Sequence, residues 1–305
     1  MTIQQDQQER PATVASPRSP RARRQRTFSA AYLTPGWLLL LGIVLIPLAL
    51  GLWISFRNGS LLTPNNQFVG FKNYTRLLNS SVFRDAVKLT VLISMLSLAI
   101  QLPLGFLLAV VINRELTGTR VFRSSLLMPL LLTPVAVGLM WRLMLNVDNG
   151  VVDGVLQQLG LPGIDWLGDR RWAVVSVVLV DSWQNTPFVM LLMLAGLQSL
   201  PAGPLEAARV DGASTLQTYR HVILPLLAPV GLVVVMIRII ESVKLFDIIY
   251  ILTSGGPGTA TQNVSLLDYR LGFTFLQTSQ AAALGVIICI ALIPMYRLWK
   301  RANQQ

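Results

Sequence analysis

Six long apolar runs alternate with shorter polar segments along the chain, at roughly 36–56, 88–112, 124–144, 173–199, 223–252 and 280–299. An apolar helix of about 18 residues or more is long enough to cross the hydrocarbon core of a bilayer. The pattern therefore predicts an all-α fold, a polytopic membrane bundle of six transmembrane helices spanning 36–305 as one domain. Pro47, Pro103, Pro129, Pro134, Pro187, Pro225 and Pro229 fall inside these runs. Membrane helices tolerate proline where neighbours re-satisfy the freed carbonyls, so kinked spans are expected. The Gly-Gly-Pro-Gly stretch at 255–258 must end the fifth run in an irregular turn or re-entrant loop.

Composition agrees: 53% of residues are hydrophobic and only 13% charged, well outside the range of soluble domains. A net charge of +11 would suggest nucleic acid in a soluble protein, but here the cations are sorted about the spans. With the N-terminus inside, the inner segments carry Arg10, Arg18, Arg21, Arg23, Arg24, Arg26, Arg114, Arg120, Arg123, Arg209, Arg220, Arg297, Lys300 and Arg301, fourteen in all. The outer loops hold seven: Arg57, Lys72, Arg76, Arg84, Arg170, Arg171 and Arg270. This bias places both termini in the cytoplasm. Residues 1–35, rich in Pro, Ser, Gln and Arg, are expected to be a disordered basic tail whose RARRQR cluster rests on anionic lipid headgroups. A nucleic-acid or partner-binding tail is the lesser reading, as is an organelle transit peptide. No cleavable leader is expected, since the first run is long enough to span and no small-residue cleavage pattern follows it. One cysteine, Cys289, and one histidine, His221, leave no material for a disulfide framework or a cysteine-based metal site.

Between the fourth and fifth runs the chain reads PAGPLEAARVDGASTLQTYRHVILP, residues 201–225. Pro204 suits a first helical position, and Glu206 stands in the first turn, where the helix dipole favours an acid. Ala207 and Ala208 combine high helix propensity with a small contact surface. Gly212 can take the left-handed conformation that stops the helix, and Ser214 with Gln217 forms a capping-box pattern for a second one. The plain reading is an amphipathic interfacial connector. The other is a helix–turn–helix presenting a small-residue face to another protein.

The spacing Glu206-Ala207-Ala208, then Gly212, then Val222-x-Leu224-Pro225 resembles the EAA loop of binding-protein-dependent ABC importer permeases, with Val222 where isoleucine is usual. FVGFKNYTRLL (68–78), GIDWLG (163–168), WQNTPF (183–188) and FDIIYILTSGGPGTAT (246–261) are similar to the carbohydrate-uptake branch, in particular its maltose-transporter-like first permease subunit. The resemblance implies that 202–225 is a cytoplasmic coupling helix whose Glu206, Ala207, Ala208, Asp211, Gly212 and Pro225 serve contact with an ATPase. It also implies a second permease subunit of the same family, a dimeric ABC ATPase that uses ATP and Mg, an extracytoplasmic solute-binding protein, and a bacterial inner-membrane location. The chain itself carries no phosphate-cradling loop. Such a loop needs a lysine followed by Ser or Thr, and Lys72, Lys88, Lys244 and Lys300 are followed by Asn, Leu, Leu and Arg. No catalytic residue, cofactor or metal site is expected in the chain itself.

Ionisable groups at membrane depth are costly and so are functional candidates. Arg238, Glu241, Lys244 and Asp247 alternate in sign at intervals of three, which on one helix makes a self-neutralised ladder locking it against others or, toward the outer end, a polar wall. In the fourth run Asp181, Trp183, Gln184 and Asn185 supply the flat aromatic face and amide and carboxylate groups that hold sugars, or else interhelical hydrogen bonds. Asp181, Trp183, Gln184, Asn185, Lys244 and Asp247 are the candidate substrate pathway. The rival classes are an ion-coupled secondary transporter, an importer permease for a non-sugar solute, and a membrane enzyme. The last is disfavoured because no compact nucleophile–base or metal constellation is present.

Overall fold

The computed structural model describes residues 20–60, 67–114 and 119–302. The chain divides into two compact units, Met1–Leu50 and Gly51–Gln305. The first contains most of α1 (Pro20–Ser55). Its helical backbone starts earlier than the apolar run. Where the composition of 1–35 predicts disorder, the helix seeded by the apolar residues continues back through Ala and Arg, both good helix formers, to a proline at its first position. Residues 1–19 of the expected tail lie outside the described residues.

In the second unit a short hairpin, β1 (Arg57–Asn58) and β2 (Gln67–Phe68), pairs antiparallel with Arg57 opposite Phe68. The helices that follow are α2 (Lys72–Asn79), α3 (Ser81–Ile112), α4 (Thr119–Leu131), α5 (Pro134–Met144), α6 (Val151–Gln158), α7 (Arg170–Gln198), α8 (Ala202–Val210), α9 (Thr215–Thr218), α10 (Leu224–Val243), α11 (Asp247–Thr253), α12 (Val264–Tyr269) and α13 (Thr278–Ala302). Among the described residues four helical stretches are long and apolar enough to cross a membrane: Thr34–Ser55, Ser81–Ile112, Arg170–Gln198 and Thr215–Val243.

The third and fifth runs are not the straight spans the sequence predicts. Arg123–Leu131 and Pro134–Met144 meet at 99°. Pro134 pushes Thr133 out of the helical region, and Thr133, with φ −67 and ψ 141, instead caps α5 by accepting from the Ala136 N–H. The pair makes a fifth span only if both limbs count as one. The fifth run stops at Val243, and Lys244 is the C-cap of α10. Two side chains from the returning loop hold this end: Ser265 Oγ donates to the Val243 carbonyl (2.6 Å) and Asn263 Nδ2 to that of Leu245 (2.5 Å). The sixth run is represented by Thr278–Pro294, shorter than the other four.

α3 and α7 form the most extensive helix contact. Gly105 makes it possible, because a Cβ there would fall 2.6 Å from Val189 Cγ1; small residues at such points let membrane helices approach closely. Ala109, Met190, Leu194, Leu227 and Val234 fill one core among α3, α7 and α10, and Ile93, Val177, Ile248 and Leu266 another that includes α11 and α12.

Candidate functional site

The segment after α7 folds by local rules. Asp211 caps α8, and Gly212 follows with φ +72. The Gly212 N–H then reaches the Arg209 carbonyl (3.2 Å) and the Ala213 N–H that of Ala208 (3.0 Å), the paired bonds of a Schellman stop. Two residues on, Ser214 accepts from the Gln217 N–H while Gln217 Oε1 accepts from the Ser214 N–H (2.8 Å), completing a capping box. The chain next passes through a π-helical turn, Tyr219–Ile223, in which the Leu224 N–H bonds to Tyr219 five residues back. Pro225 has no N–H and its ring crowds the His221 carbonyl, and the widened turn relieves both.

α8 buries none of its residues. Glu206, Ala207, Asp211, Gly212 and Pro225 are exposed and Ala208 half-buried. Val210 and Leu216, at 87% and 77% exposure, flank the turn. Five of the six expected contact residues therefore share one short exposed feature, and Pro225 opens α10 beyond it.

A second polar group lies between α3, α7 and α10. Arg238, 2% exposed, donates through Nε to Gln101 Oε1 (2.8 Å), through Nη2 to both Asp181 oxygens (3.2 Å each) and through Nη1 to Glu241 Oε2 (2.6 Å). Gln101 Nε2 donates to Asp181 Oδ2 and Asn185 Nδ2 to Oδ1, both at 2.9 Å. The Asp181 carboxylate thus accepts four hydrogen bonds, and three helices close on one ion pair. Two carboxylates against one guanidinium leave a negative surplus, and it rests on Glu241, whose side chain is 47% exposed.

The predicted ladder is cut in half. Arg238 and Glu241 pair as expected, but α10 ends before Lys244 and Asp247 opens α11. Both are exposed, and among the described residues neither forms an ion pair. Gln184 is buried and its amide donates to the Leu132 carbonyl (3.1 Å) at the α4–α5 bend, the kind of re-satisfaction a broken membrane helix requires. Trp183 is 37% exposed and meets Trp141 edge to face, with ring centroids 5.6 Å apart. Asp181 and Asn185 are thus joined in one cluster, while Gln184, Trp183, Lys244 and Asp247 each have other surroundings.

Gln101 is the member the sequence reading missed. Its signal lies in α3 itself, where Thr90, Ser94, Ser97 and Gln101 are all buried and recur every three or four residues, a polar stripe on one helical face. Ser94 Oγ meets Ser242 Oγ on α10 (2.7 Å), and Thr90 Oγ1 accepts from the Val264 N–H (3.0 Å).

The family described as binding-protein-dependent transport system inner membrane component matches residues 81–302, from the start of α3 to the end of α13. The probable ABC transporter permease protein y4oQ of Sinorhizobium fredii is 35% identical over 93% of this chain and 94% of its own. The trehalose/maltose transport system permease protein MalF of Thermococcus litoralis is 37% identical over 74% of this chain and 77% of its own. A crystal structure of a bacterial alginate ABC transporter, in complex with an alginate pentasaccharide-bound periplasmic protein, contains a chain of TM-score 0.78 and 25% identity, over 94% of this chain and 96% of that one. By sequence and by fold, the chain belongs to the binding-protein-dependent transport system inner membrane components, a family of multi-pass membrane permeases.

Proposed function

We propose that the chain is one membrane-spanning permease subunit of an ABC importer that moves a sugar, oligosaccharide or polyol across a bacterial inner membrane. A second permease of the same family completes the channel, a dimeric ABC ATPase beneath it consumes ATP and Mg, and a solute-binding protein outside delivers the substrate. The named solutes of the relatives, trehalose/maltose and alginate, support the carbohydrate class. The two-to-one excess of cations in the segments assigned to the inside supports cytoplasmic termini.

One observation carries this reading: residues 202–223 are ordered by their own caps, yet α8 has no fully buried residue, and only Leu205, half-buried, leans on the chain's own core. Ordering a short helix that buries so little is unfavourable unless a partner supplies further contact. ATPase closure draws this helix and its counterpart together, and the bundle opens its central path outward, a rigid-body transition about an interface. Along that path Trp183, Lys244 and Asp247 are the exposed groups available to a polyhydroxylated substrate. Asp181, Gln184 and Asn185 hold the walls in place.

The test is ATP hydrolysis by the assembled complex with and without substrate-loaded binding protein. Glu206→Arg, which leaves the fold of the exposed helix intact, is expected to abolish both stimulation and transport. Unchanged coupling in this variant would sink the assignment.

A further inference from the structure

Three cations converge at one end of the two apolar spans α3 and α7. Lys88, Arg170 and Arg171 line a cavity of about 570 Å³ together with Asp85, Leu89, Leu92, Val174, Thr259 and Ala260. Asp85 is paired with Lys88 at 3.6 Å. Three positive groups against that one carboxylate leave a surplus of two. Asp169, the N-cap of α7, offsets Arg171 in part and leaves at least one positive charge in surplus. Its Oδ1 accepts from the Trp172 and Arg171 backbone N–H groups, and these bonds hold its carboxyl below the usual range. Among the described residues neither Arg170 nor Arg171 ends in an ion pair.

The placement is unfavourable twice over. Cations in the first turn of a helix oppose its dipole, and in the proposed topology they stand at the outer end, against the charge bias of the rest of the chain. An anion in the cavity would reverse both penalties. The lining also selects the kind of anion. Its cations form a charged rim above Leu89, Leu92 and Val174, and Leu92 is exposed. Trp172, exposed beside the arginines and edge to face with Trp166 at 5.0 Å, is the residue type that marks a membrane–water interface. A rim for a phosphate, an apolar floor for the start of a chain and an aromatic belt at the same level fit a phospholipid. We propose that this cavity binds the headgroup of an anionic phospholipid, with Arg170 and Arg171 on the phosphate and Leu92 and Val174 against the proximal acyl chain.

The full chain, purified and stripped of lipid in neutral detergent, is returned to bilayers of phosphatidylcholine with or without phosphatidylglycerol, and retained lipid is quantified by native mass spectrometry. Wild type is expected to retain phosphatidylglycerol over phosphatidylcholine. Each cation near a charged headgroup contributes roughly fivefold in binding, so Arg170→Gln with Arg171→Gln should weaken retention roughly twenty-five-fold. Arg84→Gln, at the same end but off the lining, should leave it unchanged. These positions are exposed, and Lys88→Gln gives an independent, smaller loss should the double variant assemble poorly. Equal retention of the two lipids, or undiminished retention in the double variant, overturns the proposal. So does displacement by inorganic phosphate alone, which would make free phosphate the ligand. A loss of binding-protein affinity with lipid retention intact would overturn it too, in favour of an acidic protein surface.

Discussion

Around Arg238, the guanidinium and the Asp181 carboxylate are buried and tied to three helices of the same chain, whereas α8 has no fully buried residue and ends on its own caps. Both are polar passages in an apolar sequence, and burial separates their roles. A buried charge must find its counter-charge and hydrogen bonds inside the molecule, so the cluster clasps α3, α7 and α10 to one another. The α8–α9 turn, with Val210 bare on α8 and Leu216 bare on α9, has little internal reason to exist beyond the half-buried Leu205. The first region holds α3, α7 and α10 together, and the second is the one we propose a partner moves.

The largest effect should come from breaking the clasp. Arg238→Ala leaves the buried Asp181 carboxylate with the Gln101 and Asn185 amides but no counter-charge and is expected to cost about 3–5 kcal/mol, read as a fall in the thermal unfolding midpoint of the purified chain. Replacing both partners, Asp181→Leu with Arg238→Met, should recover most of the loss, because no buried unpaired charge remains and the freed Glu241 is 47% exposed. If the double variant were as unstable as the single one, the pair would owe its effect to packing and not to charge.

Two glycines sharpen the contrast next. At Gly105 an added Cβ meets Val189 at 2.6 Å, so Gly105→Val should separate α3 from α7 and destabilise the whole chain by about 1–3 kcal/mol. At Gly212 nothing lies within 4 Å, and the only obstacle is φ +72. Gly212→Val should cost roughly 1–2 kcal/mol of local strain, raise hydrogen exchange across 202–223 and leave the unfolding midpoint nearly unchanged. A comparable midpoint loss in both variants would mean that α8 is not the separate unit its caps suggest.

The same division explains what could be read in advance. The six apolar runs, the Gly212 stop and the Ser214–Gln217 box are local patterns, visible in a few consecutive residues, and the structure reproduces the stop and the box. The end of α10 was not visible. Its last carbonyl, Val243, is taken by Ser265, twenty-two residues further on, and that of Leu245 just beyond by Asn263, eighteen further on. The clasp was half visible, as Arg238 and Glu241 three apart. Its other half, Gln101, lies 137 positions from Arg238 and 80 from Asp181, and only its recurrence with Thr90, Ser94 and Ser97 hinted at a buried polar face. The bend between α4 and α5 was marked by Pro134, though its angle depends on Gln184 reaching the Leu132 carbonyl from another helix.

Asp268 on α12 is the counterpart that tests the clasp argument at smallest scale. Asp268 is half-buried, but its Oδ1 is withdrawn from water without a hydrogen-bond partner, and burial lifts its carboxyl from 3.8 to about 6. Between those values the unfolded chain releases the proton while the folded chain keeps it. Folding then takes up a proton, and stability must fall as pH rises from about 4 to about 6 and level off above. Asp268→Asn cannot ionise, so the difference in unfolding midpoint between wild type and variant should grow across that window, with the variant the more stable above it. Asp181, held by four hydrogen bonds, should show no such gain on neutralisation, because Asp181→Asn leaves Arg238 short of a charge. A flat difference for Asp268→Asn across the window would mean that a partner outside the chain already satisfies the carboxylate.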